Sequence, residues 1–106
     1  MYGYVLLPQA VADLEEIAEF LSAASPDFAD RILNEIQMAI QRLIPFPYQG
    51  HRRPDLTSRP LRFKPVNGYL IAYAPDECPL LVVAIVHGSR SPRVLAAILR
   101  GRPSIQ

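Results

Sequence analysis

Apolar residues recur along this chain in two rhythms, and each change of rhythm marks an element. Leu14, Ile17, Ala18 and Leu21 fall at i, i+3, i+4 and i+7, the stripe of a helix with one buried face. Pro8 suits the start of that helix, because its φ is already near the helical value and its missing N–H would have no partner there. Ser25-Pro26-Asp27 supplies a second start: a hydroxyl to cap, a proline at the first position, an acid at the positive end. Phe28, Ile32, Ile36, Ala39, Ile40 and Leu43 then form a stripe that runs to about Ile44. Two helices joined this closely predict an antiparallel helical hairpin.

On either side of the hairpin the rhythm shortens to two. Tyr2 to Leu7 reads as a short strand. Further on, Asn67-Gly68 divides two strands, and a two-residue Asn-Gly loop fits the type I′ turn because both residues tolerate positive φ. That turn predicts a register of Val66 opposite Tyr69, Lys64 opposite Ile71 and Arg62 opposite Tyr73. Leu61, Phe63, Leu70 and Ala72 share one face; being apolar, they are expected to meet the helices. Arg62, Lys64, Val66, Tyr69, Ile71 and Tyr73 share the other, where cations mixed with aromatics predict an open recognition surface. Pro65 predicts an edge strand or a bulge. Leu80 to Val86 is apolar without a break, the pattern of a central strand covered on both faces.

The remaining stretches complete the order. Proline density from Pro45 to Ser58 predicts an extended linker, and Pro75 to Pro79 a looser turn. Ser91-Pro92 repeats the capping signal, and Val94, Leu95, Ile98 and Leu99 predict a short helix ending near Gly101. The order β-α-α-β-β-β-α predicts an α+β fold in which the helical hairpin packs on one face of a mainly antiparallel four-stranded sheet, with a short C-terminal helix. A chain of 106 residues is sized for a single domain, 1–106.

Composition narrows the class. Hydrophobic residues make up 50% and charged residues 20%, which excludes a disordered chain. No run of about 18 apolar residues is present, so no membrane span is expected. Met1-Tyr2-Gly3-Tyr4 lacks the basic start of a secretory leader, and one cysteine, Cys78, suits a reducing compartment, so a cytoplasmic location is expected. The net charge of +1 conceals an asymmetry: residues 1–44 hold two bases and seven acids, net −5, and residues 45–106 hold nine bases and three acids, net +6. Ten of the eleven bases are arginine, whose planar fork suits contact with carboxylates and phosphates. An anionic partner is expected on the second half, an acidic protein segment or nucleic acid.

Candidate chemistry is sparse. Asp13, Glu15, Glu16 and Glu19 read as a solvated helix face. His87 precedes Gly88 after the apolar strand and serves either to bond the turn or to meet a partner. Arg90 either pins a carboxylate of the hairpin, such as Glu16 or Glu19, or faces outward. His51-Arg52-Arg53 is a basic loop cluster available to a partner or a phosphate. Cys78 has no histidine or second cysteine nearby, and Ser89 and Ser91 read as turn and cap residues. Neither a metal site nor a cofactor is expected.

Several stretches together resemble the RelE/ParE superfamily of type II toxins. They are Leu7-Pro8-Gln9-Ala10 with Asp13-Leu14-Glu15-Glu16-Ile17, Leu43-Ile44-Pro45-Phe46-Pro47 followed by Gly50, Arg59 to Phe63, Tyr69-Leu70-Ile71-Ala72-Tyr73, and Val86-His87-Gly88-Ser89-Arg90. The last is most similar to the ParE branch. Leu7 stands where a serine or threonine is common, and Ser91 where an aspartate is common. The resemblance implies a toxin held silent by a cognate antitoxin in a hetero-oligomer and serving plasmid stabilization. Its target would be DNA gyrase in the ParE branch, or ribosome-bound mRNA, cut by an endonuclease, in the RelE branch. From the predicted open face and the basic turn, partner contacts are expected at Arg59, Arg62, Lys64, Tyr69, Tyr73, His87, Arg90 and Arg93. On the endonuclease alternative, Arg62, Lys64, His87 and Arg90 would be catalytic. RNA cleavage needs a proton acceptor, a proton donor and cations for the phosphorane. The last helix holds no tyrosine, histidine or glutamate, and Leu70 stands where RelE-like toxins place an arginine. The cations are present and the proton-transfer set is incomplete, which favours the gyrase-binding branch. A third alternative is a non-toxic binding or autoregulatory module of the same fold.

Overall fold

A computed structural model describes residues 3–103. Strand β1 (Tyr4–Leu6) leads into helices α1 (Pro8–Ala24) and α2 (Pro26–Leu43); β2 (Arg62–Val66), β3 (Tyr69–Ala74), β4 (Leu80–His87) and α3 (Pro92–Arg100) follow. The expected order is the observed one. The Tyr2 end of the expected first strand lies outside the described residues.

The local signals act as their chemistry requires. Ser25 accepts from Phe28 N–H at 3.2 Å and Ser91 from Val94 N–H at 3.3 Å, so each caps the helix that its proline begins. Leu7 begins α1 without a side-chain cap. Ser25 is the single residue between α1 and α2, which folds them into a hairpin. Asn67 and Gly68 have φ of 50° and 85°, the type I′ pair, and the pairs Arg62↔Tyr73, Lys64↔Ile71 and Val66↔Tyr69 are in the expected register.

The sheet order is β1-β4-β3-β2, with β1 parallel to β4 and the other pairs antiparallel. β2 is an edge strand, as Pro65 requires. Val66 and Tyr69 flank the turn as a bonded pair, so alternation points the backbone groups of Phe63 and Pro65 outward. Proline therefore removes no ladder bond, and His51 takes up both outward groups of Phe63. The irregularity lies elsewhere, between Ala72 and Tyr73 opposite β4, where Val83 is the extra residue. It turns Val83 and Ala84 to the same side while Val82 and Ile85 stay on the other.

Two cores result, and they correct the expected faces. Tyr69, Ile71 and Tyr73, with Leu80, Val82 and Ile85, pack beneath α1 and α2 against Ala10, Ile32, Ile36 and Ile40. Leu61, Phe63, Leu70 and Ala72, expected under the hairpin, pack instead on the opposite face with Leu56, Leu95 and Leu99. The linker and α3 thus form a second cover that the open-face expectation omitted. Small residues explain the choice: Ala72, Ala74 and Ala84 let a short helix approach closely, while the larger Tyr69 and Tyr73 fill the space under the longer hairpin. Phe28 also departs from its expected stripe, being 40% exposed; Ala29 is buried in its place. On α1, Leu14, Ile17 and Leu21 pack against the core only in part.

Candidate functional site

Side chains of interest gather at three places around the sheet. At the first, Tyr73, beneath the helices and 0% exposed, presents its hydroxyl to the turn that follows α2. The hydroxyl donates to Pro47 C=O at 2.6 Å and accepts from Gly50 N–H at 2.9 Å. Burial raises the Tyr73 pKa, since no polar solvent is at hand for a phenolate. Gly50 must be glycine here, because a Cβ would lie 2.5 Å from the Tyr73 Oη. Arg62 lies over the Tyr48 ring, 5.2 Å from its centroid, and donates to Gly50 C=O at 2.8 Å and Tyr48 C=O at 3.3 Å. Tyr48 in turn donates to Asp76, and that bond raises its pKa.

The second place is the turn after β4. His87 meets Tyr69 edge-on with ring centroids 5.2 Å apart, and its Nδ1 lies 2.6 Å from Ser89 Oγ. The ring is thereby fixed in the turn while remaining exposed. Arg90 and Arg93 are exposed too, and among the described residues neither forms an ion pair; the expected partners Glu16 and Glu19 are not engaged. Lys64 is half-buried on the edge strand.

The third place lies where β1 ends, and no local pattern in the chain announces it. Asp13, expected on a solvated face, is held by both terminal nitrogens of Arg102 at 2.8 Å. Their side chains are only 15% and 12% exposed. Asp13 Oδ2 also accepts from Ile85 N–H at 2.9 Å, and Arg102 donates to Val83 C=O at 3.1 Å. The pair thus bonds the edge of β4 where β1 no longer does. Arg59 performs a similar service nearby, donating to Leu99 C=O at 3.3 Å and Pro103 C=O at 2.8 Å at the end of α3. Arg53 pairs with Asp55, leaving Arg52 as the unpaired base of the loop cluster among the described residues.

The expected contact residues therefore divide. Tyr69 and Tyr73 are buried in the core, and Arg59 and Arg62 bond the chain's own carbonyls. His87, Arg90 and Arg93 sit together at the start of α3, with Lys64 two strands away across the sheet.

A family model described as the ParE toxin of type II toxin-antitoxin system, parDE, matches residues 4–92. No curated protein matches the chain.

Proposed function

The chain belongs to the ParE family of type II toxin-antitoxin toxins, and from that premise we propose that it acts by binding DNA gyrase and is silenced by a cognate antitoxin. The observation that carries the choice of a binding mechanism is the dispersal of the charged groups. An RNA-cleaving centre built from Arg62, Lys64, His87 and Arg90 needs those groups around one phosphate. Two strand spacings and the offset along the strands put Lys64 ~12 Å and Arg62 ~17 Å from His87, Cα to Cα. Arg62 is also committed to Gly50 C=O and the Tyr48 ring. Of the expected contact residues, the cations left for a partner are Arg90 and Arg93, close to His87 in the chain, and Lys64, apart on the edge strand; exposed arginines of this kind suit an acidic protein surface.

The test is direct. Purified protein is expected to block supercoiling of relaxed plasmid by gyrase and to leave ribosome-bound mRNA intact. Normal supercoiling with codon-periodic cuts in the mRNA would reverse the assignment, and loss of those cuts in a folded His87→Ala variant would establish the endonuclease. Unimpaired growth of bacteria that express the chain well, without antitoxin, would favour the non-toxic module.

A further inference from the structure

The two edges of the sheet are finished differently. At β2, Pro65 has no N–H to offer, and His51 occupies both outward groups of Phe63. The other edge is β1, and among the described residues it pairs with β4 alone. Gly3 C=O accepts from Leu80 N–H at 3.1 Å, and Leu7 N–H donates to Val82 C=O at 3.0 Å. Backbone groups alternate along a strand, so Gly3, Val5 and Leu7 face β4, while the N–H and C=O of Tyr4 and Leu6 point away from the sheet. The side chains alternate too. Those of Tyr4 and Leu6 pack against the core beneath the hairpin, and they line a groove of about 420 Å³ with Leu14, Ala18, Leu33 and Ile40. Val5 lies on the other face and is 43% exposed. No charged side chain occurs from Gly3 to Ala12.

We propose that β1 pairs with β1 of a second copy of this chain, antiparallel about a two-fold axis at Val5. That register sets Tyr4 of each copy opposite Leu6 of the other. It forms four hydrogen bonds, and every outward N–H and C=O of Tyr4 and Leu6 in both strands takes part. An axis at Tyr4 or at Leu6 would bond one residue to its own copy and leave the other past the end of the opposing strand. The two valines meet at the axis as a non-bonded pair, with Cα atoms ~4.5 Å apart, and cover their exposed side chains. Tyr4 packs across from Leu6 of the second copy at the mouth of the groove. Neutrality selects this occupant: beside a two-fold axis each side chain meets its own kind, so charges there would repel. The pairing joins two four-stranded sheets into one, with both helical hairpins on the same side. Three strand residues and one groove are fewer than the roughly 20–30 residues a side of a standard interface, so a weak dimer is expected, with a Kd on the order of 10 μM. The inference goes beyond the functional reading and does not rest on it, because His87, Arg90 and Arg93 lie past the end of β1.

The probe is the full chain alone. In sedimentation velocity from ~1 to ~200 μM the mass is expected to rise from one chain to two. At the upper concentration, hydrogen exchange at the Tyr4 and Leu6 amides is expected to slow about fivefold or more, while the Val5 amide, already bonded to β4, keeps its rate. Val5→Lys sets two cations against each other at the axis and is expected to weaken the dimer about tenfold or more. Val94→Lys, at a similarly exposed valine on α3, leaves the dimer unchanged. Far-UV circular dichroism checks that both variants are folded. A chain that stays monomeric to ~200 μM would overturn the inference and spare the functional reading. A dimer indifferent to Val5→Lys, with the Tyr4 and Leu6 amides unprotected, would place the contact elsewhere and overturn it as well. A Val5→Lys effect without amide protection would indicate side-chain packing alone and overturn the strand pairing.

Discussion

Removing one oxygen from Tyr73 tests how the helical layer is fastened to the sheet. The hydroxyl bridges Gly50 N–H and Pro47 C=O, both in the turn that leaves α2. Tyr73→Phe keeps the ring in the core and strands both groups. An unsatisfied buried N–H costs about 1–3 kcal/mol. Gly50 is buried, whereas Pro47 is half-buried and its carbonyl can turn to water. The total expected is about 2 kcal/mol, a fall in Tm of roughly 8–15 °C for a domain of this size, with the denaturant slope unchanged. Gly50→Ala approaches the same contact from the other side, since its Cβ would lie 2.5 Å from the Tyr73 Oη and 2.9 Å from Cε1. Overpacking of that kind costs about 1–3 kcal/mol. Because the oxygen is the nearer obstacle, the double variant should lose about 0.5–1 kcal/mol less than the two single losses combined. Urea titration of the four proteins, followed by far-UV circular dichroism, reads every term. A Tyr73→Phe variant within about 0.5 kcal/mol of wild type would refute the fastening role, and additive losses would refute the stated geometry.

Urea titration also reads the Asp13–Arg102 pair and the pH dependence of the Tyr73 contact. Asp13→Ala and Arg102→Ala should each cost about 2–3 kcal/mol, because each strands a charged, mostly buried partner, and their double-mutant cycle should show coupling of about 1–3 kcal/mol; additive losses would mean that the pair does not act as a unit. The raised Tyr73 pKa has a sign that pH can check: the unfolded chain releases this proton near pH 10, whereas the folded chain retains it to higher pH. The stability it contributes is complete below that pH and is lost as pH rises through the folded value, so the advantage of wild type over Tyr73→Phe should narrow between pH 9 and pH 11 in paired urea titrations. An advantage that stays constant or grows would contradict the burial argument.

Local chemistry was legible in the sequence, and long-range choice was not. Ser25-Pro26, Ser91-Pro92 and Asn67-Gly68 each carry their instruction within a few residues, so element order and hairpin register could be read directly. The faces could not. β3 is buried along its whole length, so either of its faces was a plausible floor for the hairpin. What decided between them was the second cover supplied by α3 and the linker, together with the alanines that admit it. Arg62 and Lys64 misled for a related reason: at an edge strand, long cationic side chains can lie on a helix-covered face and still reach its margin. Asp13 and Arg102 are 89 residues apart, and neither carries a local signal of the other. The free edge of β1 depends on its outermost place in the sheet, which is visible only once the pairing is known.

Trapping of gyrase on cleaved DNA bears most directly on the account. Plasmid, gyrase and ATP are incubated with increasing amounts of the chain, then treated with detergent and protease. If the proposed gyrase binding holds the enzyme on cut DNA, the plasmid converts to linear form in proportion to the amount of chain added, and a cognate antitoxin abolishes the effect. An unchanged plasmid beside codon-periodic cleavage of ribosome-bound mRNA would contradict it.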